Sequence, residues 1–337
     1  MNRKFFNGKI VFCTIGCALL LGGCSVRGGA KKDLADLDRG RTERQTAPEE
    51  IDMLETETEK PSTALNASPQ STLEEAPVTT PEVTEADWSE YFHGLNGAAV
   101  LYDAAECRYT IFNPELARTR RSPCSTFKII SSLIALENGI LDPKDSTRTW
   151  SGEVFWNEDW NRDIDFQDAF RTSCVWYFRE LTDAVGQGTM QEGVSQLQYG
   201  NCDISDWQGH LNTNNNNRAL TGFWIESSLL ISPQEQTEVM ERIFGADSIY
   251  KEATREALKQ VMFVTEQDNP DVNIYGKTGM GKTGGITVDA WFTGFAEKPA
   301  EEKTIYFCVY LGRTDNQNVT SAAAKEIAES LLSMPQL

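Results

Sequence analysis

Hydrophobic and polar positions divide the chain into an apolar run at residues 10–21, a long polar stretch, and a patterned remainder. Residues 25–86 carry Pro48, Pro61, Pro69, Pro77 and Pro81 among many Thr, Glu and Ser residues, with almost no aromatics. Such a segment buries too little apolar area to offset its ordering entropy, so it is expected to be a tether. Trp88, Tyr91 and Phe92 mark where burial is expected to begin. Residues 98–102 and 108–112 then read as two short strands around a turn, a hairpin. Ser122-Pro123 is expected to cap a helix whose apolar stripe is Ile129, Ile130, Leu133, Ile134 and Leu136, stopped by Asn138-Gly139.

Further helices are expected near residues 165–172, 175–184, 190–198, 233–244 and 250–263. β-Branched and aromatic runs return at 272–277, 287–295 and 305–311, followed by a closing helix at 321–332 with Ile327, Leu331 and Leu332 on one face. Strands at both ends enclosing a helical middle imply an α/β (α+β) fold. One antiparallel sheet is assembled from both termini and flanked by helices, with a helical second lobe and a cleft between. No internal repeat interrupts this order.

The apolar run follows Arg3, Lys4 and Lys9 and is too short to span a bilayer, as in an export signal. It ends in Leu21-Gly22-Gly23-Cys24, which resembles the lipobox of bacterial lipoproteins. The expected organisation is therefore a lipoprotein signal at 1–23, a lipidated Cys24 with its acidic tether at 24–87, and one catalytic domain at 88–337. Such a chain is exported and meets the membrane through its N-terminal lipid; an ordinary signal peptide cleaved near Gly22 is the competing reading.

A net charge of −19 argues against a nucleic-acid partner, which requires a basic face. His93 and His210 lie far apart without partners at metal-ligand spacing, so neither a zinc site nor a Ser-His-Asp triad is expected. Cys107, Cys124, Cys174, Cys202 and Cys308 remain after the anchor; their spacing matches no metal motif, and buried thiols are favoured over one or two disulfides. Nothing in the pattern selects an oligomeric state.

Ser125-Thr126-Phe127-Lys128 sets a hydroxyl and an amine three residues apart at a helix start, on one face and within hydrogen-bond reach. Its flanks are apolar, and a buried lysine loses charge because desolvation favours the neutral amine, so serine gains a base without histidine. Ser173-Cys174-Val175, Tyr199-Gly200-Asn201 and Lys277-Thr278-Gly279 follow in order.

With Ser-x-x-Lys, Ser-x-Val, Tyr-Gly-Asn and Lys-Thr-Gly in this order, the chain from Gly97 onward resembles the penicilloyl-serine transferase group and, within it, the class D β-lactamases. The resemblance implies that Ser125 is the nucleophile and that Lys128 is the base after carbon dioxide or bicarbonate forms a carbamate on its nitrogen; no other cofactor and no metal are implied. Phe127, Val175, Trp224 and Ile225 would wall the carbamate pocket, with the Trp224 indole N–H as a donor. Ser173 would relay a proton to the leaving nitrogen. Lys277, Thr278 and Gly279 would bind the carboxylate of a β-lactam partner, and the amides of Ser125 and Met280 would form the oxyanion hole. Structural readings compete: Trp224 as core, Tyr199-Gly200-Asn201 as a helix-closing turn, Ser173 as an N-cap.

The arginine that many class D enzymes use for the substrate carboxylate is absent; Thr320 aligns with it, and Arg313 is the expected substitute, with Lys282 as another option. Residues 276–283 also satisfy the phosphate-loop pattern, but the following residues read as turn and strand, so no nucleotide site is expected. The expected activity is hydrolysis of β-lactams through a serine acyl-enzyme. One rival acylates but deacylates slowly, as a sensor or a penicillin-binding transpeptidase; the expected anchor and tether, without a signalling segment, favour the hydrolase. The other rival is a non-catalytic lipoprotein that binds cell-wall peptides.

Overall fold

The computed structural model describes residues 80–211, 216–264, 271–314 and 317–334. The expected signal, Cys24 and most of the tether lie outside the described residues. Secondary structure is present ahead of the boundary expected at residue 88, because Glu82–Glu85 forms strand β1 and pairs in parallel with β3 (Arg108–Phe112). Its thin apolar content hid it: what holds it is the ladder, from Glu82↔Arg108 to Glu85↔Ile111, rather than a buried face.

Chain order continues through α1 (Ser89–Phe92), β2 (Gly97–Asp103), α2 (Pro114–Ala117), α3 (Lys128–Glu137), α4 (Phe166–Arg171), α5 (Val175–Val185), α6 (Gln187–Gln196), α7 (Pro233–Phe244) and α8 (Glu252–Met262). Strands β4 (Asn273–Thr283), β5 (Ile286–Lys298) and β6 (Lys303–Gly312) and helix α9 (Ser321–Leu332) complete it. The sheet order is β1-β3-β2-β6-β5-β4, antiparallel except at β1. The two halves of the chain meet at β2 and β6, with Ala99 opposite Val309 and Leu101 opposite Phe307.

Alternation along β6 explains both faces of the sheet. Ile305, Phe307, Val309 and Leu311 point towards α1 and α9, where they pack with Phe92, Ile327, Leu331 and Leu332. Tyr306 points to the other side, where the helical lobe lies. The centre of that lobe is α3, with eight of its ten residues buried, including Ile129, Ile130, Leu133 and Ile134 of the expected stripe, while Leu136 is half-buried.

Ser122 does not cap this helix. Its hydroxyl is taken by the Trp224 carbonyl (3.0 Å) and the Glu226 amide (2.8 Å), and a single 3-10 turn, Cys124–Phe127, leads into α3 instead. Strand β4 runs beyond the expected end at Lys277, through Lys277-Thr278-Gly279 to Thr283, and turns at Gly284 and Gly285, both at positive φ. A strand and hairpin therefore follow the phosphate-loop pattern, and no helix N-terminus is available to a phosphate there.

Candidate active site

The 3-10 turn and the first turn of α3 place Lys128 Nζ 2.8 Å from Ser125 Oγ, with the amine donating. Lys128 is 1% exposed, and Phe178 lies under its ammonium at 5.4 Å. Burial lowers its pKa to about 8 from an ordinary 10.5, so the basic, uncharged form is far more accessible near neutrality than in a solvated lysine. The pair can move a proton between serine and lysine.

Ser173 does not cap α5. It closes α4: its amide returns to Phe170 O (3.2 Å), that of Cys174 to Ala169 O (2.8 Å), and Ser173 sits in the left-handed region at φ 57°. This is a Schellman ending with serine where glycine is usual, and it turns the hydroxyl towards β4. There Lys277 Nζ donates to Ser173 Oγ (3.1 Å) and to Thr278 O (3.1 Å). Lys277 is held well below its ordinary pKa by burial and by the charge of Lys128. Two desolvated amines thus each address a serine hydroxyl.

Strand β4 is the free edge of the sheet and lies against the turn that carries Ser125. A side chain at Gly279 would come within 2.9 Å of Thr126 Cγ2 and 3.0 Å of Pro123 O, so glycine lets the strand approach. Between them opens a cavity of about 240 Å³ reached by Ser125, Ser173, Val175, Ile225, Thr278 and Met280. Three non-glycine residues at positive φ, Cys124, Ser173 and Glu226, line it. Left-handed non-glycine backbone costs about 1–3 kcal/mol and concentrates where a protein holds reacting groups in place.

Phe127 and Trp224 lie behind this surface. Their rings stack at 5.8 Å, and Phe223 and Tyr199 meet Phe127 edge-on at 5.2 and 5.6 Å. The Trp224 indole N–H is fully buried and has no hydrogen-bond partner among the described residues. An unsatisfied buried donor is costly, about 1–3 kcal/mol, and asks for an acceptor. A carboxylated lysine would bring one, so the donor set fits that group.

Tyr199-Gly200-Asn201 is a scaffold. Tyr199 ends a second Schellman turn, donating its amide to Val194 O (3.1 Å). Gly200, at φ +56°, would clash with Leu230 O if it bore a side chain. Asn201 then ties down the loop before α7: its Nδ2 donates to Ser228 O (2.8 Å) and its Oδ1 accepts from the Leu230 amide (2.9 Å).

Arg313 is not brought to the cavity; its guanidinium donates to Asn318 (3.3 Å), and its amide to Val288 O (2.8 Å). Thr320 caps α9 through the Ala323 amide (3.1 Å). Lys282 does line the cavity, its ammonium 5.7 Å from the centre of the Trp156 ring. Trp156 and Glu226 also line it and were missed, since a lone tryptophan and a lone glutamate in irregular chain carry no periodic signal. Cys124 and Cys174 stand beside the motifs as thiols outside any disulfide, and burial pushes Cys124 up to about 12 and Cys174 up to about 11. Neither is a ready thiolate at neutral pH.

Comparison with known proteins identifies the family. The family model for the penicillin binding protein transpeptidase domain matches residues 97–333. β-Lactamase OXA-1 of Escherichia coli is 32% identical over 246 residues, 72% of this chain and 86% of that protein. Regulatory protein BlaR1 of Bacillus licheniformis is 29% identical over 73% of this chain, but the chain spans only 38% of BlaR1, and 39% of the MecR1 proteins it also matches. Among solved structures, the C-terminal domain of the Bacillus licheniformis BlaR penicillin-receptor superposes with a TM-score of 0.64 at 30% identity, covering 76% of this chain and 97% of that one. The class D β-lactamase BAT-2 gives 0.61 at 27% identity, covering 72% and 93%. From its ordered motifs, its fold and these matches, the chain belongs to the penicillin-binding protein transpeptidase domain family, with class D β-lactamases among its relatives.

Proposed function

We propose that this chain hydrolyses β-lactams through an acyl-enzyme on Ser125. The observation that carries the reading is a buried, low-pKa Lys128 at 2.8 Å from Ser125 Oγ, beside a tryptophan whose buried N–H lacks an acceptor. Ser125 Oγ attacks the lactam carbonyl as its proton passes to the Lys128 end of the site. The amides of Ser125 and Met280 receive the oxyanion, each such donor being worth about a hundredfold or more in rate. The C–N bond breaks, and Ser173, held by Lys277, passes a proton to the departing nitrogen. Thr278 and Gly279 hold the substrate carboxylate. Carboxylation of the neutral Lys128 amine by carbon dioxide supplies an anionic base suited to activating the water that releases the acid. Val175 and Ile225 keep that corner dry, and a dry corner favours the uncharged amine that carbon dioxide needs. We place this chemistry outside the cytoplasm, with the chain held at a membrane through Cys24.

The match to a penicillin-receptor domain favours a second reading, in which Ser125 is acylated and the adduct persists. Intact-protein mass spectrometry after adding benzylpenicillin, with and without bicarbonate, tests both. A wild-type adduct that forms and clears, faster with bicarbonate and absent from Ser125→Ala, supports the hydrolase. An adduct lasting hours supports the receptor or transpeptidase, and no adduct leaves a non-catalytic binder of cell-wall peptides.

A further inference from the structure

The segment from Trp224 to Glu226 is bound to the approach of the nucleophile on one side and to β4 on the other. Towards the nucleophile, the Trp224 carbonyl accepts from Ser122 Oγ (3.0 Å) and from the Cys124 amide (2.9 Å), while the Glu226 amide donates to Ser122 Oγ (2.8 Å). Glu226 holds the left-handed conformation, φ 50°, which swings its side chain into the cavity wall. Its Oε1 accepts the backbone amide of Lys282. That amide lies where the pairing of β4 with β5 shifts register, between Gly281 and Lys282. The extra residue at that shift is Val288 of β5, and β4 is an edge strand, which offers amides to partners outside the ladder; the carboxylate takes one of them and pins β4 beside the shift.

Met280 lies two residues before Lys282 on the same edge strand, and Ser125 lies one residue after Cys124. We propose that Glu226 is a positioning residue for the oxyanion hole: one side chain sets the separation of the Ser125 and Met280 amides by tying their two segments together. The role needs an acceptor at Oε1 and does not need its charge. It rests on the reading of Ser125 as the acylated nucleophile.

The test uses the full chain, benzylpenicillin and saturating bicarbonate, with rapid-quench mass spectrometry giving the limiting acylation rate and the half-saturating concentration. Glu226→Met keeps the volume and removes the acceptor; Glu226→Gln keeps the acceptor and removes the charge. A misplacement of about 1 Å costs about a hundredfold, so the Met variant is expected to lose about 10- to 100-fold in limiting rate, with half-saturation within about threefold of wild type. The Gln variant is expected to recover most of that loss. Glu226→Ala is a second acceptor-free variant, and thermal melts show which variants are folded at the assay temperature. Equal loss in Met and Gln, no loss in either, or a change confined to half-saturation would each overturn the proposal. Failure of the wild type to form any adduct overturns the nucleophile reading itself, and this proposal with it.

Discussion

The helical wall of the cleft presents Ser125, Lys128 and Ser173 from the ends of short helical turns, whereas the β4 wall presents Lys277, Thr278 and Gly279 from one continuous strand. On the helical side, Cys124 and Ser173 hold left-handed backbone, and the buried Trp224 N–H has no partner among the described residues. On the strand side the backbone is regular up to Gly281, and Lys277 bonds to Ser173 and Thr278. Each wall carries a desolvated amine, but the strained backbone and the partnerless donor are on the helical side. The groups proposed to react sit on strained backbone, and those proposed to hold substrate sit on a regular strand.

If that contrast is sound, changes in the helical wall lower rate constants and those in the strand wall raise half-saturation. The largest effect is expected from Lys128→Met, which loses acylation by about a thousandfold or more, as removal of a base does, yet melts at a higher temperature because no amine is desolvated. Mass spectrometry and calorimetry on one preparation check both halves; a lower melting temperature would break the comparison.

The pH dependence of the same residue sharpens it. Below about 8 Lys128 is an ammonium, so without added bicarbonate acylation is expected to fall about tenfold per pH unit below that point and to level above it. For stability the sign follows from the lowered value. Between about 8 and 10.5 the folded state binds fewer protons than the unfolded state, so this residue's penalty is full below 8 and fades as pH rises through the window. The melting gap between Lys128→Met and wild type is therefore expected to narrow from pH 8 to pH 10.5.

Trp224→Phe keeps the stacked ring and deletes the partnerless N–H. It is expected to slow turnover about 10- to 100-fold, chiefly at low bicarbonate, in steady-state assays across bicarbonate concentrations. Thr278→Val removes one hydroxyl from the strand wall and is expected to raise half-saturation about tenfold, the worth of one hydrogen bond to a charged group, with the limiting rate within about threefold. Arg313→Ala is the smallest, within about twofold on both parameters, since its side chain is bound to Asn318 away from the cavity. A large Arg313 effect would show that the strand wall extends to residues outside the cavity.

Much of this architecture is legible in the sequence where local chemistry repeats. Helix α7 is marked at both levels, by apolar spacing and by Ser232-Pro233 with Glu235, which form a capping box in the structure. Helix α9 has Thr320 at its start and an apolar face. The four motifs were legible because each is a run of adjacent residues. What escaped depended on distant pairing: β1 is a strand only because β3 is beside it, and Ser122 looks like a cap until Trp224 and Glu226, about a hundred residues on, claim its hydroxyl. Ser173 escaped differently, since its left-handed turn uses a residue type that usually avoids one. Arg313 was chosen by nearness to the end of β6, which says nothing about the direction of its side chain.

The sheet order has a mechanical consequence. Strands β1 and β4 occupy opposite edges with four strands between them, about 24 Å apart at ordinary strand spacing. A pull arriving through the chain ahead of Glu82 falls first on β1, a four-residue strand with little buried surface. That strand can give way like a fuse while the β2–β6 seam and the β4 edge stay paired, so a load on the chain ahead of Glu82 meets first the edge farthest from β4.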